Sequence, residues 1–480
     1  MSDNRHFDKL VAAGNPVGEV ISVDRFLVRV HGLHPVNTHA LVMFQDGTKG
    51  FVQYIYADHV VILHLGSKPV IVGMTVVVQH NQLVTKVGKD FIGRVVSVTG
   101  DPLDGKGPIG ADEVWPVFAD APGLANRELL DTQLETGVTS IDALFPILRG
   151  QRMALLGDSK SGKSTLSTQI ALNQKNTDII VIYALIAKRR SDVDILIDRL
   201  QANDALKTAI VVVSTVFESL AMSYLTPYVA CSIGEYLWQR LNMDTLVIYD
   251  DLTSHAQAYR EIALLSGVSP GRDSFPGDMF YAHSSLLERA GRLAINHKSQ
   301  TTVSVVLANN GDITAYLPTN VMSITDGQWI LDLEVFRNML RPAMSLGLSV
   351  TRVGGRGQGE RQKKLNAQAT KALADYKQVQ EYAHFGSELA LGAQKEMARG
   401  DRIYEVLNQR PGETYSLMSQ QLMLDIVMNP PEDEVLDVDT LKKLVPGYSA
   451  LIKKDEDYER VKSELTKKSV IHLEGREAKK

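Results

Sequence analysis

An apolar run at 153–156 leads straight into Gly157-Asp158-Ser159-Lys160-Ser161-Gly162-Lys163-Ser164, and helix-compatible residues follow at 166–172. That order constrains the fold more than any other feature of the chain. It fits G-x-x-x-x-G-K-[ST], which needs a buried strand, a glycine-rich turn and the first turn of a helix in succession. The glycines allow backbone N–H groups to curl inward around phosphate oxygens. The helix that opens at Thr165 adds the positive end of its dipole. Lys163 is placed to neutralise the outer phosphates, and the Ser164 hydroxyl to ligate Mg²⁺. A nucleoside triphosphate with Mg²⁺ is therefore expected on Gly157, Asp158, Ser159, Lys160, Ser161, Gly162, Lys163, Ser164 and Thr165. The competing reading, an accidental glycine turn, does not account for the flanking strand and helix patterns.

A second Mg²⁺-holding group belongs at the carboxyl end of a neighbouring strand. Leu246-Val247-Ile248-Tyr249-Asp250-Asp251 is an apolar run that ends in acids. Asp250 is the expected metal carboxylate. Asp251 or Thr253 is suited to cap the helix that follows.

Around this centre the chain divides into three regions. Residues 1–88 carry short apolar runs separated by turn signals such as Asp46-Gly47, the pattern of a small β-barrel. Residues 89–358 alternate apolar β-rich runs (152–156, 179–185, 209–213, 245–249, 302–307) with helical stretches, as in a parallel sheet covered on both faces. Residues 359–480 read as helical, with no proline between Pro342 and Pro411 and a break at Pro430-Pro431. The fold class expected is α/β: a RecA-like phosphate-loop domain with a β-barrel before it and a helical bundle after it. A hydrophobic content of 44% suffices for these cores. The net charge, 51 − 56 = −5, argues against nucleic-acid binding by bulk charge. The single cysteine, Cys231, fits a reducing compartment and a small buried residue. Met1 to Arg5 form no apolar leader, and no run of apolar residues is long enough to span a bilayer.

Many further runs resemble the alpha subunit of F-type ATP synthases. They include Ala258-Tyr259-Arg260-Glu261, Pro270-Gly271-Arg272, Leu286-Leu287-Glu288-Arg289-Ala290, Ser323-Ile324-Thr325-Asp326-Gly327-Gln328 and Leu348-Ser349-Val350-Thr351-Arg352-Val353-Gly354-Gly355. Phe385-Gly386-Ser387-Glu388-Leu389 continues the likeness downstream. The resemblance implies a barrel, a RecA-like domain and a helical bundle. It implies ATP or ADP with Mg²⁺ as cofactors, at a site that does not turn over. It implies a three-plus-three ring with catalytic beta subunits, a central stalk, a peripheral stalk and an indirect link to the membrane sector. The setting implied is peripheral, on the cytoplasmic face of the inner or plasma membrane, in proton- or sodium-coupled ATP synthesis or hydrolysis. Arg352 matches the arginine that alpha subunits lend to the neighbouring beta site, where a guanidinium can stabilise γ-phosphate transfer. Arg356 and Arg361 lie close by, so charge alone does not single it out. Gln409 matches, across a one-residue insertion, a glutamine of the adenine pocket.

Three departures from the family pattern stand out. Catalytic relatives carry a water-positioning glutamate after the strand that follows the phosphate-loop helix, in a Gly-Glu-Arg setting, and alpha subunits carry Gln. Here the residues are Ala187-Lys188-Arg189, and no glutamate occurs between Glu135 and Glu218. A protonated lysine cannot act as that base. Lys188 is expected either to pair with the γ-phosphate or to point to solvent. Ser159-Lys160-Ser161 replaces the usual Arg-Gln-Thr. The stretch before the first barrel strand is shorter than the extension that meets the peripheral stalk. The alternatives to a synthase alpha subunit are a repurposed alpha-like subunit of an assembly that does not make ATP, and a catalytic export-type ATPase.

Overall fold

The computed structural model describes residues 2–383, 391–431 and 435–471. Six antiparallel strands, Val17–Asp24, Leu27–His31, Leu41–Phe44, Lys49–Ile55, Val60–His64 and Thr75–His80, close into a barrel in the order first, second, fifth, fourth, third, sixth. Closure removes the unpaired edges that short strands would otherwise expose. Strand alternation sends Val20, Val28, Val30, Val42, Phe44 and Ile62 into the barrel interior. Leu27, Leu41, Phe51 and Leu63 point the other way and join the core of the next layer. The helix Ser2–Ala12 was not legible in the polar start of the chain. It seats Phe7 against Met43 and Val77 on the outside of the barrel.

The central sheet runs in the order Val350–Thr351, Gly327–Leu331, Arg152–Gly157, Ser299–Leu307, Asp244–Asp250, Ile179–Lys188, Ala209–Thr215, Val95–Ser97. All neighbours are parallel except the edge strand Val350–Thr351, and the short Gly291–Arg292 pairs antiparallel with Ser299–Leu307. Each expected strand is present, lengthened by a residue or more. The strand Gly327–Leu331, read only as a family motif, lies directly beside the phosphate-loop strand. Apolar side chains fill both faces: Ala154, Leu156, Ile182 and Val247 on one, Met153, Leu155, Val181 and Ile248 on the other. This burial on both sides is why these strands read as continuous apolar runs.

The last region is a bundle of helices, Glu360–Ala383, Leu391–Leu407, Leu417–Met428, Val438–Ser449 and Asp457–Lys468. Leu422, Ile426, Leu441, Val461 and Leu465 form its core. Asp142 ties the bundle to the turn that precedes the phosphate-loop strand: its carboxylate accepts from the Thr136 and Gly137 amides at 3.0 and 2.9 Å and from Gln420 Nε2 at 2.9 Å. The motif 385–389 lies outside the described residues. Among the described residues no helix is long and apolar enough to cross a membrane.

Candidate nucleotide site

The phosphate loop begins where Gly157 ends its strand, paired with Leu307 on one side and Leu331 on the other. A Cβ at Gly157 would lie 2.6 Å from Ser161 Oγ and 2.9 Å from the Leu331 carbonyl, so no side chain fits. Gly162 (φ 101°) caps the helix Lys163–Asn173 in the left-handed region, with no side chain closing its first turn. The helix therefore opens on free backbone N–H groups, the arrangement that binds anions. Lys163 Nζ donates to the Gly157 and Asp158 carbonyls at 2.9 and 2.7 Å, folding back over the loop. Burial lowers its pKa, and the nearby carboxylates Asp251, Asp250 and Asp158 oppose that. Ser159, Lys160 and Ser164 are exposed around the loop, while Ser161 is buried beneath it.

The two acids divide as the sequence suggests. Asp250 closes its strand, which is separated from the phosphate-loop strand by Ser299–Leu307, and is buried. Asp251 caps the helix Leu252–Leu265, its Oδ1 accepting from the Ser254 amide at 2.6 Å. Thr253 is not the cap; its hydroxyl accepts from the Leu307 amide at 2.9 Å.

Lys188 does not simply point to solvent; it makes a contact that the sequence did not indicate. Its Nζ lies 2.6 Å from Asp250 Oδ1 and 3.4 Å from Asp251 Oδ2. The pairing is set by the backbone. Leu185 sits opposite Asp250 in register, and the strand then bulges, so that Lys188 pairs with Thr215. The bulge is carried by Ala187, at φ 50° in the left-handed region that favours glycine. Burial works against the Lys188 charge, but the two carboxylates outweigh it and hold the ammonium above the usual lysine range. Burial holds the Asp250 carboxyl above the usual carboxylate range, against the pull of Lys188. The 2.6 Å contact has the length of a charge-assisted hydrogen bond between ammonium and carboxylate. The Ala187 conformation leads to a direct expectation. Ala187→Gly relieves the strain and stabilises the fold by about 0.5–1 kcal/mol. A lower melting temperature would show instead that the methyl packs for more than the strain costs.

This donor set does not fit Mg²⁺. The ion requires oxygen ligands in an octahedron at about 2.0–2.1 Å. The Ser164 hydroxyl is exposed as the motif requires. The carboxylate that should face it is already neutralised by a cation tethered to the same chain.

Gln409 is buried, with its amide spent on backbone: Nε2 donates to the Gly137 and Glu413 carbonyls at 3.0 and 3.1 Å, and Oε1 accepts from the Thr139 amide. A cavity of about 370 Å³ opens instead beside its neighbour Asn408, lined also by Ser140, Asp332, Arg341, Pro342 and Tyr404. Asp332 follows the strand that flanks Gly157, so the cavity starts next to the loop. Sequence reading missed Arg341 and Asn408. Their one signal was the Arg341-Pro342 pair between the strands Gly327–Leu331 and Val350–Thr351.

Arg352 is exposed beyond the antiparallel edge strand. Its guanidinium donates only to the Thr325 and Met322 carbonyls, at 3.2 and 3.3 Å, and has no carboxylate partner among the described residues. Arg361 differs: it binds Asp455 and lies over the Tyr458 ring at 3.7 Å, held by the bundle.

The nucleotide-binding domain of the ATP synthase alpha/beta family matches residues 137–351, and the C-terminal domain of the alpha/beta chain matches residues 358–478. ATP synthase subunit alpha 2 of Legionella pneumophila (strain Corby) is 36% identical over 440 residues, 89% of this chain and 85% of the relative. The chain belongs to the ATP synthase alpha/beta family, as an F-type alpha-like member. Nucleotide binding and a place in an ATP synthase assembly come with that membership. The family match spans the loop, Asp250, Lys188 and the approach to Arg352, which is the geometry described above.

Proposed function

We propose that this chain is a non-catalytic subunit of an F-type ring that binds ATP or ADP at Gly157–Thr165 and lends Arg352 to catalytic sites on neighbouring beta subunits. The observation that carries the reading is the Lys188–Asp250 ion pair, 2.6 Å long, at the strand end where a water-positioning glutamate would stand. A charged ammonium held by two acids cannot take a proton from an attacking water. The nearest glutamate along the chain, Glu218, follows a strand further from the loop and accepts from the Thr215 amide. The cavity beside Asn408 and Arg341 offers room for the base and sugar, in place of the Gln409 contact. Mg²⁺ on Ser164 and Asp250 is the part of the cofactor expectation that this geometry does not support.

In this reading the partners are three beta subunits in a three-plus-three ring, a central stalk and a peripheral stalk. The membrane sector is reached through them, in proton- or sodium-coupled synthesis or hydrolysis at the cytoplasmic face of a membrane. The working domains are 1–88, 89–358 and 359–480. The test is turnover by the purified single chain. It should bind ATP in a calorimeter and release no phosphate above background over many minutes. Steady hydrolysis that disappears in Lys163→Ala would overturn the non-catalytic assignment.

A further inference from the structure

We propose that Lys188 is the built-in cation of this nucleotide site, so that the phosphates are held without help from a divalent metal. The inference rests on the nucleotide-binding reading and specifies which cation accompanies the nucleotide. Three observations meet here. The ammonium sits on Asp250, the one carboxylate at the end of its strand, with Asp251 next to it. Lys163, Lys188, Asp250 and Asp251 all act electrostatically on one another, so they form a single cluster under the loop. The position is built, since a bulged strand and a left-handed Ala187 are needed to bring the side chain there.

The chemistry follows from counting charges and donors. A lysine ammonium has three N–H donors. Asp250 takes one at 2.6 Å and Asp251 stands off at 3.4 Å, which leaves a donor for a phosphate oxygen. The side chain is 18% exposed, so it is open on one side. A divalent ion placed between Asp250 and the phosphates would meet an ammonium that cannot diffuse away, and would find the carboxylate charge already compensated. A tethered cation also loses no translational freedom when the nucleotide arrives. Occupancy of this site would thus be independent of free Mg²⁺, while the catalytic sites of the same ring would keep their metal requirement.

The experiment is calorimetric titration of the full chain with ATP, in excess MgCl₂ and again in EDTA. We expect the two dissociation constants to agree within about threefold. In Lys188→Gln, which frees Asp250, removing Mg²⁺ should weaken ATP binding by about tenfold or more. A tenfold or greater loss in EDTA by the unmodified chain overturns the proposal while leaving nucleotide binding intact, and needs no variant. Equal indifference to Mg²⁺ in Lys188→Gln also overturns it. Absence of ATP binding in both buffers overturns the nucleotide reading itself, and this inference with it.

Discussion

Replacing Arg352 by alanine is expected to slow ATP turnover of the assembled ring by roughly 10³-fold or more, and to leave the chain's own ATP affinity nearly unchanged. The reason is where the residue stands. It follows the antiparallel edge strand Val350–Thr351, at the rim of the sheet. Its backbone is pinned, since the Arg352 amide donates to the Asp326 carbonyl at 3.0 Å, and Asp326 is itself held by Arg152 at 2.8 Å. The guanidinium has only two carbonyl contacts, of 3.2 and 3.3 Å. A fixed backbone with a weakly engaged head suits a group meant for a site on another chain. Transfer of a γ-phosphoryl group spreads negative charge over its oxygens, and a planar guanidinium can bind two of them at once. The measurement is steady-state hydrolysis by the complex reconstituted with catalytic beta subunits, beside calorimetry on the single chain. Undiminished ring turnover would remove Arg352 from the chemistry. A parallel loss of ATP affinity in the single chain would make it a folding residue.

The second large effect concerns stability. Glu235→Ala is expected to destabilise the chain by about 3–5 kcal/mol, because it strands a buried guanidinium. Arg289 is 1% exposed and holds Glu235 through two bonds of 2.7 and 2.6 Å. It also donates to the Val117 carbonyl at 2.7 Å and to Ser232 Oγ at 3.0 Å. Trp115 Nε1 reaches the same glutamate at 3.3 Å. The pair thereby joins three segments that are far apart in sequence: the approach to the domain, the helix Leu220–Gln239 and the turn after Met279–Leu287. The double variant Glu235→Leu/Arg289→Met should recover at least half of the loss, since it leaves no unpaired charge. Chemical denaturation of the three proteins reads this directly. If the single and double variants lose the same stability, the geometry of the pair matters rather than its charge.

Much of this architecture was legible before any coordinates. The parallel strands showed themselves because both faces of the sheet are covered, which leaves continuous apolar runs such as Ile179–Lys188. The phosphate loop was readable because its glycines answer local demands: Gly157 has no room for a Cβ and Gly162 needs a positive φ. The helix Ser2–Ala12 was missed because only Phe7 and Leu10 bury against the barrel, too few to make a period. The Gln409 expectation used one-dimensional spacing across an insertion. Folding turns its amide toward Gly137 and Thr139 and leaves Asn408 on the cavity.

Lys188 divides the two kinds of information most clearly. The sequence alone determined that a lysine, not a glutamate, ends the strand Ile179–Lys188, and the proposed non-catalytic role rests on that, because residue identity decides whether a base is present. It also determined the loop, the strand that ends in Asp250 and the order of the three regions, since each depends on neighbours in the chain. Only the tertiary structure decided what Lys188 holds. Its partner lies 62 positions away, and the contact depends on the register of two parallel strands and a one-residue bulge at Ala187. Ion pairs act through space over a few ångströms, whereas sequence patterns report only the period of a strand or helix. Whether a carboxylate is free for a metal or already held by a lysine is therefore settled by the fold.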